Sequence, residues 1–272
     1  MSILTINNVD IFYEIKGNPE SANTVAFFNG VMASTNSWDY LVPNFERFDF
    51  KIILHDFKGQ LKSDKPQGPY SFQQHASEAK TLFEHLGINQ VHLIGTSYGS
   101  EVAMKFAILY PELVTSLTVI DGVSELDEVL KGFIHSWEHL IDLGDPEKFF
   151  MGMAPSIYGN HFYENNLEML KERARALKQV DPSYFIGQKI LYQTFLADVT
   201  MTAELHKISA PTLVVVGEDD LLKRVKFSRI IAQHIKDSEF VILPDCGHVA
   251  IFERVPELET LLLGFVLKHR IR

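Results

Sequence analysis

Val91-His92-Leu93-Ile94-Gly95-Thr96-Ser97-Tyr98-Gly99 runs directly into Ser100-Glu101-Val102-Ala103-Met104-Lys105-Phe106-Ala107. A short apolar run thus passes into a helical pattern through the pentapeptide Gly95–Gly99, which has the form G-x-S-x-G. Three fixed positions recur by chance, so the flanking strand and helix carry the weight. A sharp strand-to-helix turn forces the serine into a strained backbone conformation and crowds its neighbours. Gly95 and Gly99 relieve that crowding because neither has a Cβ. The helix opening at Tyr98 points its free N–H groups, and the positive end of its dipole, at the place where an oxyanion would develop. Ser97 is therefore the candidate nucleophile.

Outward from this turn, short β-branched runs alternate with helical patterns. Strands are expected at Ile3–Ile6, Val9–Ile15, Val25–Phe28, Ile52–Leu54, Val91–Ile94, Val114–Ile120, Thr212–Val216 and Glu239–Leu243. The first two read as an antiparallel lead-in. The central runs are apolar on both parities, as strands covered on both faces are. Helices are expected from Ser71 to about Leu86, from Tyr98 to Tyr110, from about Val225 to Ile235, and from about Pro256 to Lys268. Alternating strands and helices imply a mostly parallel eight-stranded α/β sheet flanked by helices. From about Ser124 to Leu205 no strand is convincing, and aromatic and Met-rich helical stretches fill the space. An unstructured loop of that length does not suit a compact domain. The expected organisation is a core of residues 1–123 and 206–272, with a helical cap, residues 124–205, inserted after the sixth strand. Such a cap would lie over the carboxyl ends of the strands, where α/β sheets bind ligands.

A serine hydroxyl needs a base to take its proton and a carboxylate to orient that base. The strand–G-x-S-x-G–helix turn resembles that of the α/β-hydrolases, and this resemblance implies the chain order serine, acid, histidine. Of the eleven histidines, His248 follows the last strand in Asp245-Cys246-Gly247-His248 and precedes the final helix. Gly217-Glu218-Asp219-Asp220 directly follows the strand before that. Side chains alternate as a chain leaves a strand, so not all three carboxylates can face His248; Asp220 is the preferred acid and Asp219 the weaker one. Asp121, at the end of the sixth strand, competes for the same role. The second oxyanion donor comes from the loop after the third strand, Phe28-Asn29-Gly30-Val31-Met32-Ala33, which makes the N–H groups of Val31 and Tyr98 the oxyanion hole. Trp38, Trp137 and Phe149 are expected to line the substrate pocket.

These residues together resemble the α/β-hydrolase superfamily along nearly the whole chain. His55-Asp56-Phe57-Lys58-Gly59-Gln60-Leu61-Lys62-Ser63-Asp64 is similar to that family's D-x-R-G-x-G-x-S loop, with Lys58 for Arg and Leu61 for Gly. Tyr110-Pro111-Glu112, and Gly247-His248 with Glu253 and Pro256 behind it, also match. The usual His-Gly of the oxyanion loop is Asn29-Gly30 here, a swap that keeps the backbone donor and changes the packing. Pro69-Tyr70-Ser71-Phe72 with Leu86-Gly87-Ile88 resembles the enol-lactonase and esterase branch. Asn29-Gly30-Val31-Met32-Ala33 resembles the acyltransferase branch that joins 3-hydroxyacyl units. The resemblance implies a serine hydrolase of carboxylic esters, thioesters or lactones with an apolar part, acting without cofactor or metal. Acyl transfer by the same triad, or a non-hydrolytic small-molecule receptor on the same fold, are the alternatives.

Composition excludes other classes. The net charge is -10, from 35 acidic and 25 basic residues, and no Lys/Arg cluster offers a surface to nucleic acid. Mean hydropathy is +0.01, that of an ordinary globular chain. The first residues lack the basic start and roughly 7–15-residue apolar run of a secretory signal. Nothing approaches the roughly 20 apolar residues of a membrane span. One cysteine, Cys246, cannot form an internal disulfide and fits a reducing, cytoplasmic setting. His135-Ser136-Trp137-Glu138-His139 spells a metallopeptidase-like H-x-x-E-H, but two histidines four apart are common on a polar helix face, and no metal is expected there.

Overall fold

The computed structural model describes residues 2–270. Its strands are β1 (Ser2–Ile6), β2 (Val9–Gly17), β3 (Thr24–Phe28), β4 (Lys51–His55), β5 (Val91–Thr96), β6 (Val114–Ile120), β7 (Thr212–Gly217) and β8 (Ser238–Leu243). They form one sheet in the order β1-β2-β4-β3-β5-β6-β7-β8. The β1–β2 and β2–β4 pairs are antiparallel, and every later pair is parallel. This is the mostly parallel eight-stranded sheet that the sequence implies.

The apolar runs show why. On β3, Val25 and Phe27 join Ile52, Leu54, Ile94, Ile120 and Val215 in one core, while Ala26 and Phe28 join Ile53, Leu93, Val119 and Val214 in the other. The first core is closed by α1 (Val42–Glu46), α10 (Ala250–Glu253) and α11 (Val255–Lys268); the second by α2 (Phe72–His85), α3 (Tyr98–Leu109) and α9 (Val225–His234). With a helix layer on each face, both parities of the central strands are largely apolar. Ser71 starts α2 as expected, its hydroxyl accepting the Gln74 N–H at 3.1 Å.

Between β6 and β7 come α4 (Glu128–Asp142), α5 (Pro146–Met153), α6 (Asn160–Asn165), α7 (Leu167–Ala176) and α8 (Ser183–Asp198). The two ends of this helical insertion meet. The N–H groups of Met201 and Thr202 both donate to Ser124 O, at 2.9 and 3.2 Å, and the Ser124 and Thr202 hydroxyls lie 2.8 Å apart. A second tie runs from α8 to α2, where Asp198 accepts the Phe72 N–H at 2.6 Å. Among the described residues, no helix is long and apolar enough to cross a membrane.

Candidate active site

Ser97 ends the β5 turn with φ 51° and ψ -119°, a left-handed conformation that costs a side-chain-bearing residue about 1–3 kcal/mol. Surrounding hydrogen bonds hold it there. Ser97 N–H donates to Ile120 O at 2.8 Å, and Ser100 Oγ lies 2.7 Å from Gly95 O while accepting the Ile120 N–H at 3.0 Å. The two glycines are obligatory: a Cβ on Gly95 would stand 2.5 Å from Gly99 O, and one on Gly99 only 2.0 Å from Phe28 O.

Three side chains distant in sequence meet at this turn. His248 Nε2 lies 2.8 Å from Ser97 Oγ, and His248 Nδ1 lies 2.8 Å from Asp220 Oδ2. The other Asp220 oxygen accepts the Lys223 N–H at 2.7 Å, so the carboxylate cannot swing away. Of the three carboxylates after β7, Glu218 and Asp219 are exposed and Asp220 is buried. Asp121 does not meet the imidazole. Its oxygens accept the N–H groups of Gly217 at 3.1 Å and Ala250 at 3.4 Å. Burial, with the Asp220 charge nearby, pushes its carboxyl well above the usual carboxylate range. Asp121 thus braces the two loops that carry Asp220 and His248. The histidine loop is also held by the insertion: His248 N–H donates to Ile157 O at 2.7 Å, and Glu253 accepts from Gly247 at 2.9 Å and Gly159 at 3.1 Å.

Beside Ser97, the loop after β3 passes so closely that a Cβ on Gly30 would lie 3.4 Å from Ser97 Cβ. Among the described residues, the N–H groups of Val31 and Tyr98 find no acceptor within the protein. Asn29 fixes the loop. Its amide nitrogen donates to His55 O at 2.8 Å and lies 3.1 Å from both Asp56 and Gln60 side-chain oxygens. Its oxygen accepts the Trp38 indole N–H at 2.7 Å. Trp38 is therefore not a pocket residue. It is fully buried, packs its ring 4.8 Å from that of Phe27, and spends its one polar group on Asn29.

A cavity of about 880 Å³, including its open mouth, lies over these groups. Its floor is Gly30, Val31, Ser97 and His248, and its roof includes Trp137, Phe150, Met153 and Tyr184 from the insertion. Among the described residues, Arg173, whose guanidinium lies 4.9 Å from the Phe252 ring, is its only permanently charged lining residue. A smaller space of about 260 Å³, its open part included, also borders Ser97. Trp137 lines both. Phe149 lines neither; it is buried against Phe185, ring centroids 5.7 Å apart. The next residue, about 100° further round the helix, faces the cavity instead.

The family model of the α/β hydrolase fold matches residues 23–255. The chain belongs to the α/β hydrolase family. It is 26% identical to a proline iminopeptidase of Saccharolobus solfataricus, over 97% of this chain and 90% of that one. It is equally 26% identical to a poly(3-hydroxyalkanoate) depolymerase of Ectopseudomonas oleovorans, over 98% and 92%. Among solved structures, an α/β hydrolase enzyme from a Medee basin deep-sea metagenome library shares 29% identity with a TM-score of 0.91, over 97% and 96% of the two chains. The enol-lactonase of Burkholderia xenovorans, 20% identical with a TM-score of 0.83 over 98% and 100%, shares the fold.

One pair in this α/β hydrolase has no counterpart in the sequence analysis. Glu101 on α3 and Lys223 beside Asp220 form a buried ion pair at 2.7 Å. Glu101 also accepts the Val123 N–H at 2.8 Å, and the Lys223 ammonium sits 4.8 Å from the Phe195 ring centre. Burial raises the Glu101 pKa, and Lys223 pulls it back. The partners are 122 residues apart, and neither lies in a motif. Burial pushes the Cys246 thiol far up, which keeps it protonated. His135 is exposed and bonded to its own neighbour Glu138 at 3.0 Å; among the described residues no three metal-binding side chains gather.

Proposed function

We propose that this α/β hydrolase cleaves a carboxylic ester with an apolar part through a Ser97–His248–Asp220 triad and an acyl-enzyme. The observation that carries the reading is the pair of 2.8 Å hydrogen bonds linking the three side chains. Ser97 Oγ attacks the acyl carbon while His248 Nε2 takes its proton, and Asp220 holds the imidazole tautomer and stabilises the imidazolium. The carbonyl oxygen becomes an oxyanion and receives the Val31 and Tyr98 N–H groups, each such donor contributing about 10²–10³ in rate. The tetrahedral centre collapses, the carbon–oxygen bond to the alcohol breaks, and His248 Nε2–H protonates the departing oxygen. Water then attacks the acyl-enzyme, giving His248 a proton that returns to Ser97 as the acid leaves. The relatives named above cleave different bonds by their names, so the reading rests on the site and not on any one of them. The apolar roof favours a substrate with a hydrophobic portion, and a single protonated cysteine suits a reducing cytoplasm.

The test is hydrolysis of p-nitrophenyl acetate and butyrate by the wild type and by Ser97→Ala, with fluorophosphonate labelling alongside. Wild-type turnover and labelling are expected, with kcat falling by about 10⁴ or more in the variant. Turnover that survives Ser97→Ala would sink the mechanism. Neither turnover nor labelling would point to a binding protein on the same fold.

A further inference from the structure

Ser97 lines two unequal spaces. The larger, about 880 Å³ with its open mouth included, contains His248 in its wall. The smaller, about 260 Å³ with its own open part included, is lined by Val31, Ser97, Tyr98, Leu222 and Lys223 but not by His248. Ile134 and Trp137 of α4, with Tyr192 and Phe195 of α8, close its far end, and all four are buried.

The proton inventory of the reaction assigns the two spaces. His248 Nε2–H must reach the oxygen of the departing alcohol, and a proton donor has to lie within hydrogen-bond reach of its acceptor. The alcohol must therefore lie on the His248 side, in the larger space. The oxyanion points toward the Val31 and Tyr98 N–H groups, and the third substituent of the tetrahedral carbon, the acyl chain, is left facing the smaller space. We infer that the inner space is the acyl pocket of this enzyme and that it admits only short straight acyl groups, acetyl to butyryl, while bulky alcohols are accepted outside. This rests on the esterase reading given above.

The inner end is also stiff. The Trp137 and Tyr192 rings lie 5.7 Å apart, bracing α4 against α8. The Lys223 ammonium, fixed to Glu101, lies 4.8 Å from the centre of the Phe195 ring, and both residues line this space. A close-packed wall of this kind does not swell to accept further methylenes without strain.

The experiment is kcat/KM for p-nitrophenyl acetate, butyrate, hexanoate and octanoate, with phenyl and naphthyl acetates as the alcohol series. The wild type should lose at least about tenfold between butyrate and hexanoate, while phenyl and naphthyl acetates should differ by less than about threefold. Ile134→Ala should raise the hexanoate-to-acetate ratio by about tenfold, and Ile134→Phe should lower the butyrate-to-acetate ratio by a similar factor. A flat acyl profile, rejection of naphthyl acetate with free acceptance of octanoate, or ratios unmoved by both Ile134 variants would each overturn the assignment alone. The wild-type profile decides the question even where a variant folds poorly. Failure to turn over any ester, acetate included, would remove the esterase reading and this inference with it.

Discussion

Asp121 and Asp220 stand at the carboxyl ends of neighbouring strands, yet only Asp220 reaches the imidazole, at 2.8 Å. Asp121 accepts two backbone N–H groups instead, and burial beside the Asp220 charge raises its pKa. Asp220→Asn should therefore lower kcat by about 10⁴, the cost of losing the correct imidazole tautomer. Asp121→Asn should keep kcat within about tenfold of wild type and cost about 1–3 kcal/mol of stability, because one backbone donor loses its acceptor. Steady-state kinetics with urea unfolding of both variants checks this; a large kcat loss at Asp121 alone would reverse the roles. Both candidates were visible in sequence because each follows an apolar strand. Chain order and side-chain alternation favoured Asp220, but what Asp121 does instead was not visible, since it depends on which backbone donors its side chain meets. Trp38 misleads for a different reason. Its place just past the oxyanion loop suggests a pocket rim, but the unusual Asn29 beside that loop takes up the indole N–H and draws the ring into the core. Phe149 misses by a single step of helical phase.

At the scale of elements, the eight strands were legible because covered strands admit no polar alternation, and α2 because Ser71 caps it. The insertion was legible only as helical, since aromatic residues there serve both packing and cavity and blur the period that would fix each boundary. Least legible is what locks the elements together. The Glu101–Lys223 pair joins α3, behind Ser97, to the loop that carries Asp220, and both groups are buried. Glu101→Gln leaves the ammonium without its counter-charge and should destabilise the fold by about 3–5 kcal/mol. Lys223→Met should do likewise by stranding the carboxylate. The double variant should recover most of the loss, because the cost lies in an unpaired buried charge. Urea unfolding of the three variants measures this cycle. Additive losses in the double variant would show that the residues act separately, and the link from α3 to Asp220 would have to be sought elsewhere.

For the molecule as a whole, the core itself carries a titratable group that answers to acid. His55, at the end of β4, is buried with its ring 5.1 Å from Phe28 and 4.8 Å from Phe57, and neither ring nitrogen has a hydrogen-bond partner. Burial, reinforced by the neighbouring His75, lowers its pKa to about 3. The imidazole is thus neutral in the fold, whereas in the unfolded chain it takes a proton near its ordinary value of about 6.5. Between those limits the unfolded state binds more protons, so stability is complete above about pH 6.5 and is lost as the pH falls toward 3. At pH 5 the loss from His55 alone should be about 2 kcal/mol relative to pH 7, at about 1.4 kcal/mol per unit. His55→Phe suits the aromatic surroundings and removes the proton. Its unfolding free energy, from urea melts at pH 7 and pH 5, should fall by about 2 kcal/mol less than that of the wild type. Buried carboxyls with raised pKa values, such as Asp121, Glu101 and Glu253, act in the opposite direction. They are common to both proteins, so they cancel in the comparison. Parallel losses in the two proteins would mean that His55 takes up its proton without unfolding, and the core around Phe28 would then have to admit water.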